Sequence, residues 1–148
     1  MLLCPVGGGG LLSGSAVAAK SLKPGIRVIG VEPAGADDAA RSLRAGRIVP
    51  VENPSTIADG LRATVGERPF AEIRRLVEDI TTVTDAAIVR AMRQLWEVMK
   101  IVVEPSGAVP YAALLDAPPA LRGRRIGIII SGGNLDLDHL PWSAAASP

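Results

Sequence analysis

Short apolar runs alternate with glycine-rich and helix-favouring segments in the first third of the chain. Residues 2–6 and 26–31 are apolar runs suited to buried strands. Between them, four consecutive glycines are followed by the Ala-rich residues 11–20, which favour a helix. The order strand, glycine loop, helix, strand predicts a βαβ unit with a parallel sheet.

Helical spacing dominates the middle of the chain. A helix beginning at Pro69 is predicted by the apolar stripe Phe70, Ile73, Val77 and Ile80. A strand at 82–84 follows, and then a longer helix with the apolar stripe Ile88, Met92, Leu95, Met99 and Val102.

The remaining segments complete an α/β pattern. We predict helices at 38–43 and 110–115, a strand at 48–51, and a fully covered strand over the apolar run 125–130. Residues 139–148 are expected to form a flexible tail. The predicted fold is a mainly parallel sheet flanked by helices in three layers.

Composition excludes several classes of protein. The 148 residues fit one domain, and 48% of them are apolar, which implies a real core. A net charge of +1 and only 3% aromatic residues argue against nucleic-acid and anionic-membrane partners. One cysteine excludes an intrachain disulfide. We expect no membrane span and no signal peptide, and hence a cytoplasmic protein.

The glycine cluster Gly7, Gly8, Gly9 and Gly10 lies between a predicted strand and a predicted helix. Without Cβ atoms, such a backbone can approach an anion and present N–H groups at a helix N-terminus. A flexible loop is the structural alternative. A dinucleotide fingerprint fails on spacing, although Glu32 lies where a ribose-binding acid belongs, and no Walker A lysine follows. A compact phosphate monoester fits better.

A second loop, residues 131–134 (Ser-Gly-Gly-Asn), ends the apolar run 125–130. Ligands of open parallel sheets bind beyond the carboxyl ends of strands. We therefore expect this loop and the glycine cluster to share one sheet edge, with Ser131 offering a hydroxyl to the same ligand. An ordinary turn is the alternative.

Five motifs in order carry a family resemblance. They lie at residues 5–11, 30–33, 57–60, 104–107 and 131–134. From residue 3 to 137 the chain resembles the serine/threonine dehydratase and serine racemase family, pyridoxal-phosphate enzymes of the tryptophan-synthase-β fold type. The resemblance implies elimination of ammonia from serine, threonine or a related β-hydroxy amino acid to give a 2-oxo acid, or racemisation. The residues correspond to one partial domain, the C-terminal half of the enzyme.

The resemblance also implies residue roles. Gly7 to Gly10 would bind the cofactor phosphate, Ser131 would hydrogen-bond the pyridine nitrogen, and Gly60 and Glu104 would lie beside the ring. A divalent ion, Mg²⁺ or Ca²⁺, would bind Glu32, the Ala36 carbonyl and Asp38. These are hard oxygen ligands, although from the sequence alone a solvated acidic loop is the simpler interpretation.

Two further positions, Lys100 and Asn134, match nucleotide-effector residues of some racemases, although a solvated helix residue is the simpler interpretation of Lys100. His139 and Cys4 have structural interpretations, as a tail side chain and a buried hydrophobe.

The Schiff-base lysine of the family belongs to a Ser-x-Lys-x-Arg type motif upstream of the glycine loop. Lys20, Lys23 and Lys100 have no such context. We therefore expect the isolated chain to be inactive. It would act as a homo-oligomer, a dimer for instance, or with a partner chain that carries the N-terminal half. A truncated reading frame, a non-catalytic remnant, a nucleotide-binding regulatory module and a purely structural partner remain alternatives.

Overall fold

A parallel sheet of four strands lies between two groups of helices. The computed structural model describes residues 1–116 and 124–143. Its strands are β1 (Leu2–Pro5), β2 (Val28–Pro33), β3 (Asp79–Val83) and β4 (Gly127–Ile128), and their spatial order is β3-β2-β1-β4. Its α-helices are α1 (Gly10–Leu22), α2 (Asp38–Ala45), α3 (Glu67–Leu76), α4 (Asp85–Gln94) and α5 (Pro105–Leu115).

Each face of the sheet carries its own hydrophobic core, because side chains alternate along a strand. Cys4 of β1 packs with Leu12 of α1 and Ile73 of α3 on one face. Leu3 of β1 packs with Ile88 of α4 and Val109 of α5 on the other face. The predicted three-layer α/β class, with a mainly parallel sheet, is confirmed.

The strand connections bring several loops to one edge. All three strand pairs are parallel, and β1 lies between β2 and β4. Leu3 pairs with Ile128, and the Ile129 N–H donates to the Leu3 carbonyl at 3.0 Å. The chain leaving β1 therefore enters the glycine loop next to the chain that leads from β4 to Ser131, as the sequence predicted.

Several predicted boundaries are wrong. Residues 48–51 form no strand, because the Val49 N–H donates to the Ser42 hydroxyl at 2.9 Å rather than to a neighbouring strand. Ile80 lies in β3 and not in the preceding helix, since the backbone is already extended at Val77. The last helix, α5, begins at Pro105, five residues before the predicted start, and a proline at the first helical position is favourable there.

The long helical stripe is also interrupted. After α4, residues Leu95–Met99 form one π-helical turn, and Lys100 adopts a left-handed conformation with φ of 58°. This change of register leaves Met99 and Val102 mostly exposed, whereas Leu95 is buried. The stripe therefore contributes core residues only as far as Leu95.

Part of the predicted tail is packed. The Trp142 ring stands edge to face on Trp96 with centroids 5.5 Å apart, and Leu140 lies against the same core. Residues 144–148 lie outside the described residues. Among the described helices, none combines the length and the apolar character that a membrane crossing requires.

Candidate functional site

One cavity of about 240 Å³ gathers the residues that the sequence singled out for the cofactor. It opens at the edge of the sheet where β1 and β4 end. Its walls are formed by Pro5, Gly7, Gly8, Gly9, Gly10, Leu11, Gly60, Leu61, Glu104, Ser106 and Ser131. All seven predicted cofactor residues are among them. Their shared location is observed, and their binding roles stay a prediction.

The glycine loop is shaped by close packing at two of its positions. A Cβ atom on Gly7 would lie 3.0 Å from the Leu61 Cα, and one on Gly9 would lie 2.9 Å from side-chain atoms of Val65 and Pro69. Gly9 also has φ of +87°, which L side chains rarely adopt. Glycine is therefore required at Gly9, whereas a side chain at Gly7 would fit only if the Leu61 backbone moved by a few tenths of an ångström.

The open side of the loop suits an anion. A Cβ on Gly8 or Gly10 would meet no atom within 4 Å, so space lies beside the backbone there. Gly10 is the first residue of α1, and the first turn of that helix carries no acidic side chain. The N–H groups of the first helical turn, which have no acceptor within the helix, and the positive end of the helix dipole therefore favour negative charge in the cavity.

Two hydrogen bonds join Glu104 to the loop 131–134. The Glu104 N–H donates to the Gly132 carbonyl at 3.1 Å, and the Asn134 N–H donates to Glu104 Oε2 at 3.0 Å. A Cβ on Gly132 would collide with the Glu104 carboxylate. Glu104 was predicted to lie beside the cofactor ring. The structure places it at the cavity with its carboxylate engaged by the loop that carries Ser131.

Ser106 is a cavity residue that the sequence reasoning missed. Its side chain is buried, and its hydroxyl oxygen accepts a hydrogen bond from the Gly60 N–H at 3.1 Å. It thereby joins the start of α5 to the wall that Gly60 forms. Its place inside the motif at 104–107, next to Glu104, is the sequence signal that points to a role for Ser106.

The predicted metal ligands Glu32, Ala36 and Asp38 are all fully buried. The Glu32 carboxylate accepts the N–H groups of Ala39 and Ala40 at 3.1 and 2.8 Å, at the N-terminus of α2. Burial raises the pKa of Glu32 to about 8, against the opposing effect of these bonds. This loop is therefore not the solvated acidic loop of the simpler interpretation.

One carboxylate oxygen of the acidic loop lacks a partner. Asp38 Oδ2 accepts the Val65 N–H at 2.8 Å, but Asp38 Oδ1 is buried without a hydrogen bond in the described part of the chain. Burial also raises the pKa of Asp38. No cluster of three His, Cys, Asp or Glu side chains occurs among the described residues. The expected site needs only two carboxylates and a carbonyl, and the orphan oxygen fits a cation.

The remaining candidates lie elsewhere. Lys100 lines a separate cleft of about 320 Å³ beside Trp96 and Trp142, and Asn134 is not among the described residues that line it. Exposed His139 bonds to Asp136 at 2.6 Å. Cys4 is buried in the core, where burial raises its pKa to about 11.

The lysines of the chain also lie away from the cavity. Lys20 is in the last turn of α1, Lys23 follows that helix and Lys100 follows the π-helical turn. Within the described ranges, no lysine lines the cavity that contains the glycine loop.

Known proteins share both the sequence and the fold. A family model described as pyridoxal-phosphate dependent enzyme matches residues 1–132. The beta-hydroxyaspartate dehydratase of Paracoccus denitrificans is 45% identical over 142 residues, which cover 96% of this chain and 45% of that protein. A serine racemase of Arabidopsis thaliana is 46% identical, covering 99% of this chain and 45% of that protein.

The solved structure of the T.th. threonine deaminase superposes with a TM-score of 0.86 at 49% identity, over 91% of this chain and 50% of that one. The chain thus spans about half the length of the relatives it matches. These matches confirm the predicted family, its fold type and its cofactor, pyridoxal phosphate. The chain belongs to the pyridoxal-phosphate-dependent enzymes and matches the C-terminal part of their fold type II members.

Proposed function

We propose that this chain supplies the cofactor-holding half of an enzyme that eliminates ammonia from a β-hydroxy amino acid. Serine, threonine and close analogues such as 3-hydroxyaspartate are the substrates that the relatives favour, and the product would be a 2-oxo acid. Racemisation of serine is the second candidate, because a serine racemase is 46% identical to the chain. The observation that carries the proposal is the convergence of Gly7 to Gly10 and Ser131 on one cavity.

The glycine loop would hold the phosphate group. Its amides lie at the start of α1, where the helix dipole adds a favourable potential for a dianion. The packing of Gly7 against Leu61 and of Gly9 against Val65 fixes the loop before any ligand arrives. Little ordering is then needed on binding, which favours affinity.

Ser131 also lines the cavity, and its hydroxyl would hydrogen-bond the pyridine nitrogen. Pyridoxal phosphate, when bound, supplies an electron-withdrawing ring that stabilises negative charge at the substrate α-carbon. A neutral hydroxyl holds a proton on that nitrogen less firmly than a carboxylate does, so the ring withdraws electrons less strongly. Early loss of the β-hydroxyl, or return of the α-proton, is then favoured over transamination.

The acidic loop would hold a divalent cation. The carboxylates of Glu32 and Asp38, with the Ala36 carbonyl, form a buried set of hard oxygen donors suited to Mg²⁺ or Ca²⁺. A cation there would offset the unfavourable burial of two carboxylates and satisfy Asp38 Oδ1.

The lysine that bonds the cofactor would come from the half of the fold that this chain does not match. None of Lys20, Lys23 and Lys100 reaches the cavity in the described structure. We propose that turnover requires a polypeptide that carries this other half, in one chain or as a partner, and that the isolated 148 residues are inactive. A homo-oligomer, such as a dimer, is part of the same proposal.

Complementation tests this function. The chain is co-expressed with the N-terminal half of the Arabidopsis serine racemase, the part that it does not match. Ammonia and 2-oxo acid release are measured with L-serine, L-threonine and 3-hydroxyaspartate, and D-serine formation is measured in parallel. We expect cofactor-dependent release with at least one substrate and none from either half alone. A pair that assembles with cofactor bound yet releases no product and forms no D-serine would contradict the proposal.

A further inference from the structure

The wall behind the glycine loop is a short segment that contains no long helix or strand of its own. Residues Asp59–Leu61 form a single 3₁₀ turn. The Gly60 carbonyl would lie 3.2 Å from a Cβ atom on Gly7, so the two backbones are in close contact. Such a segment keeps its position only through contacts with neighbouring elements.

Asp85, in the first turn of α4, provides one of those contacts. Its Oδ1 accepts the Thr56 hydroxyl at 2.6 Å, and its Oδ2 accepts the Ile57 N–H at 3.1 Å. The Thr56 hydroxyl oxygen in turn accepts the Ala58 N–H at 3.2 Å. Both carboxylate oxygens are therefore engaged by one turn of backbone, and bonds to a charged acceptor are the stronger class.

The same segment continues from this anchor to the glycine loop. Both Nε and Nη2 of Arg62 donate to the Thr56 carbonyl, which closes residues 56–62 into a compact loop. Further along, the Gly66 N–H donates to the Gly8 carbonyl at 3.1 Å. The segment 56–66 is thus hydrogen-bonded to Asp85 at its start and to the glycine loop at its end.

We propose that Asp85 is a positioning residue for the phosphate-binding loop. Through Thr56 it fixes residues 56–61, whose Gly60 and Leu61 pack against Gly7, and the same segment continues to Gly66, which bonds the Gly8 carbonyl. This inference rests on the proposed function of the glycine loop. Asp85 is not among the residues that line the cavity, so its influence on the cofactor would pass through the backbone of this segment.

A purely helical role for Asp85 is the competing explanation, because an acidic residue in a first turn stabilises a helix by its charge. Thr56→Val separates the two explanations. It removes the hydroxyl that bonds Asp85 and leaves α4 unchanged, whereas Thr56→Ser keeps the hydroxyl. If Asp85 is a positioning residue, Thr56→Val has the same effect on exchange and analogue affinity as Asp85→Asn. Thr56→Ser behaves like the wild-type chain.

The experiment combines hydrogen–deuterium exchange of backbone amides with calorimetric titration of pyridoxine 5′-phosphate, a cofactor analogue that has no aldehyde to react with lysines. For Asp85→Asn and Thr56→Val we expect about tenfold faster exchange at Ile57, whose N–H donates to Asp85. Ala58 is not used as a reporter, because Thr56→Val removes its own acceptor. We also expect analogue affinity to weaken about tenfold, with exchange in β1 and β2 unchanged. Asp116→Asn, which removes an exposed contact with Arg90 of α4, is the matched control.

The proposal would be overturned if amides of residues 56–61 exchanged at the wild-type rate in both variants. It would also be overturned if exchange became faster while the affinity for the analogue stayed at the wild-type value. Uniformly faster exchange throughout α4 in Asp85→Asn, with Thr56→Val silent, would assign Asp85 to the helix alone. A wild-type chain that does not bind the analogue would contradict the proposed function instead. In that case the exchange data still decide whether Asp85 holds the wall.

Discussion

The Asp38 carboxylate accepts the backbone N–H of Val65 at 2.8 Å, and this bond joins the acidic loop to the segment that supports the glycine loop. The next residue, Gly66, donates to the Gly8 carbonyl at 3.1 Å. The proposed cation site and the proposed phosphate site are therefore linked through two adjacent residues and their hydrogen bonds.

Cation binding is expected to stabilise the chain through Asp38. We predict that Mg²⁺ or Ca²⁺ raises the melting temperature of the wild-type chain and does not raise that of Asp38→Asn or Glu32→Gln. Without cation, Asp38→Asn is expected to be close to wild type, because it removes a buried charge whose Oδ1 has no partner. Thermal melts with and without the cation measure both effects.

Asp37→Asn serves as the control for that prediction. Asp37 lies in the same loop but pairs with Arg41 at 2.7 Å at the surface. Its variant should keep the full response to cation. Equal responses in the Asp37 and Asp38 variants would rule out the proposed ligand set.

We predict that a single methyl group at Gly9 destabilises the observed conformation of the glycine loop. Gly9→Ala requires a positive φ and a contact 2.9 Å from Val65 and Pro69 atoms, so we expect about 1–3 kcal/mol of destabilisation. Pyridoxine 5′-phosphate binding should be lost as well. Chemical denaturation and calorimetry give the two values.

Gly14→Ala is the matched control, in the same helix–loop unit. A Cβ at Gly14 would meet no atom within 4 Å, and alanine favours a helix interior, so we expect a gain of about 0.5–1 kcal/mol. Binding of the analogue should be unchanged. If Gly9→Ala were as stable and as competent as Gly14→Ala, the loop geometry described above would be incorrect.

Glu104 is expected to act on the ligand through the loop that carries Ser131. Glu104→Ala removes the acceptor of the Asn134 N–H, whereas Glu104→Gln keeps a side-chain oxygen at that position. We predict that alanine weakens analogue binding about tenfold and that glutamine stays within about threefold of wild type. Calorimetry on the three proteins tests this, and similar losses for both variants would instead indicate that the negative charge itself is required.

The Ser131 hydroxyl is predicted to set the reaction type in the complemented enzyme. Ser131→Ala should lower product release by about tenfold or more, because the pyridine nitrogen loses its partner. Ser131→Asp would hold a proton on that nitrogen and should lower elimination relative to any transamination. Product analysis by chromatography distinguishes these outcomes. Unchanged rates and products in both variants would remove Ser131 from the mechanism.

The parallel sheet and the two glycine-containing loops at the cavity could be predicted from the sequence, because both depend on local patterns. Glycine clusters after apolar runs mark where strands end, and parallel strands bring such ends to one edge. Hydrogen bonds between a side chain and a backbone group elsewhere in the chain, such as those of Ser42 and Asp85, cannot be read from these patterns. Their side chains bond backbone groups 7 and 28 residues away, at Val49 and Ile57, and such tertiary bonds cancelled the predicted strand at 48–51 and created the anchored wall at 56–61.

The π-helical turn at Leu95–Met99 could not be predicted from the sequence for a related reason. The apolar spacing through Met99 and Val102 is compatible with an uninterrupted helix. However, Trp96 donates to the Val103 carbonyl at 3.0 Å, and Lys100 reverses the backbone at positive φ. The resulting exposure of Met99 depends on these contacts rather than on the hydrophobic period.

Binding of the cofactor phosphate by Gly7 to Gly10 can be measured by calorimetric titration of the chain with pyridoxine 5′-phosphate and, in parallel, with pyridoxine, which differs only by the phosphate. We predict saturable binding of the phosphorylated compound, competition by inorganic phosphate, and loss of binding in Gly9→Ala. Equal affinity for both compounds, or phosphate-dependent binding that Gly9→Ala leaves intact, would contradict this prediction.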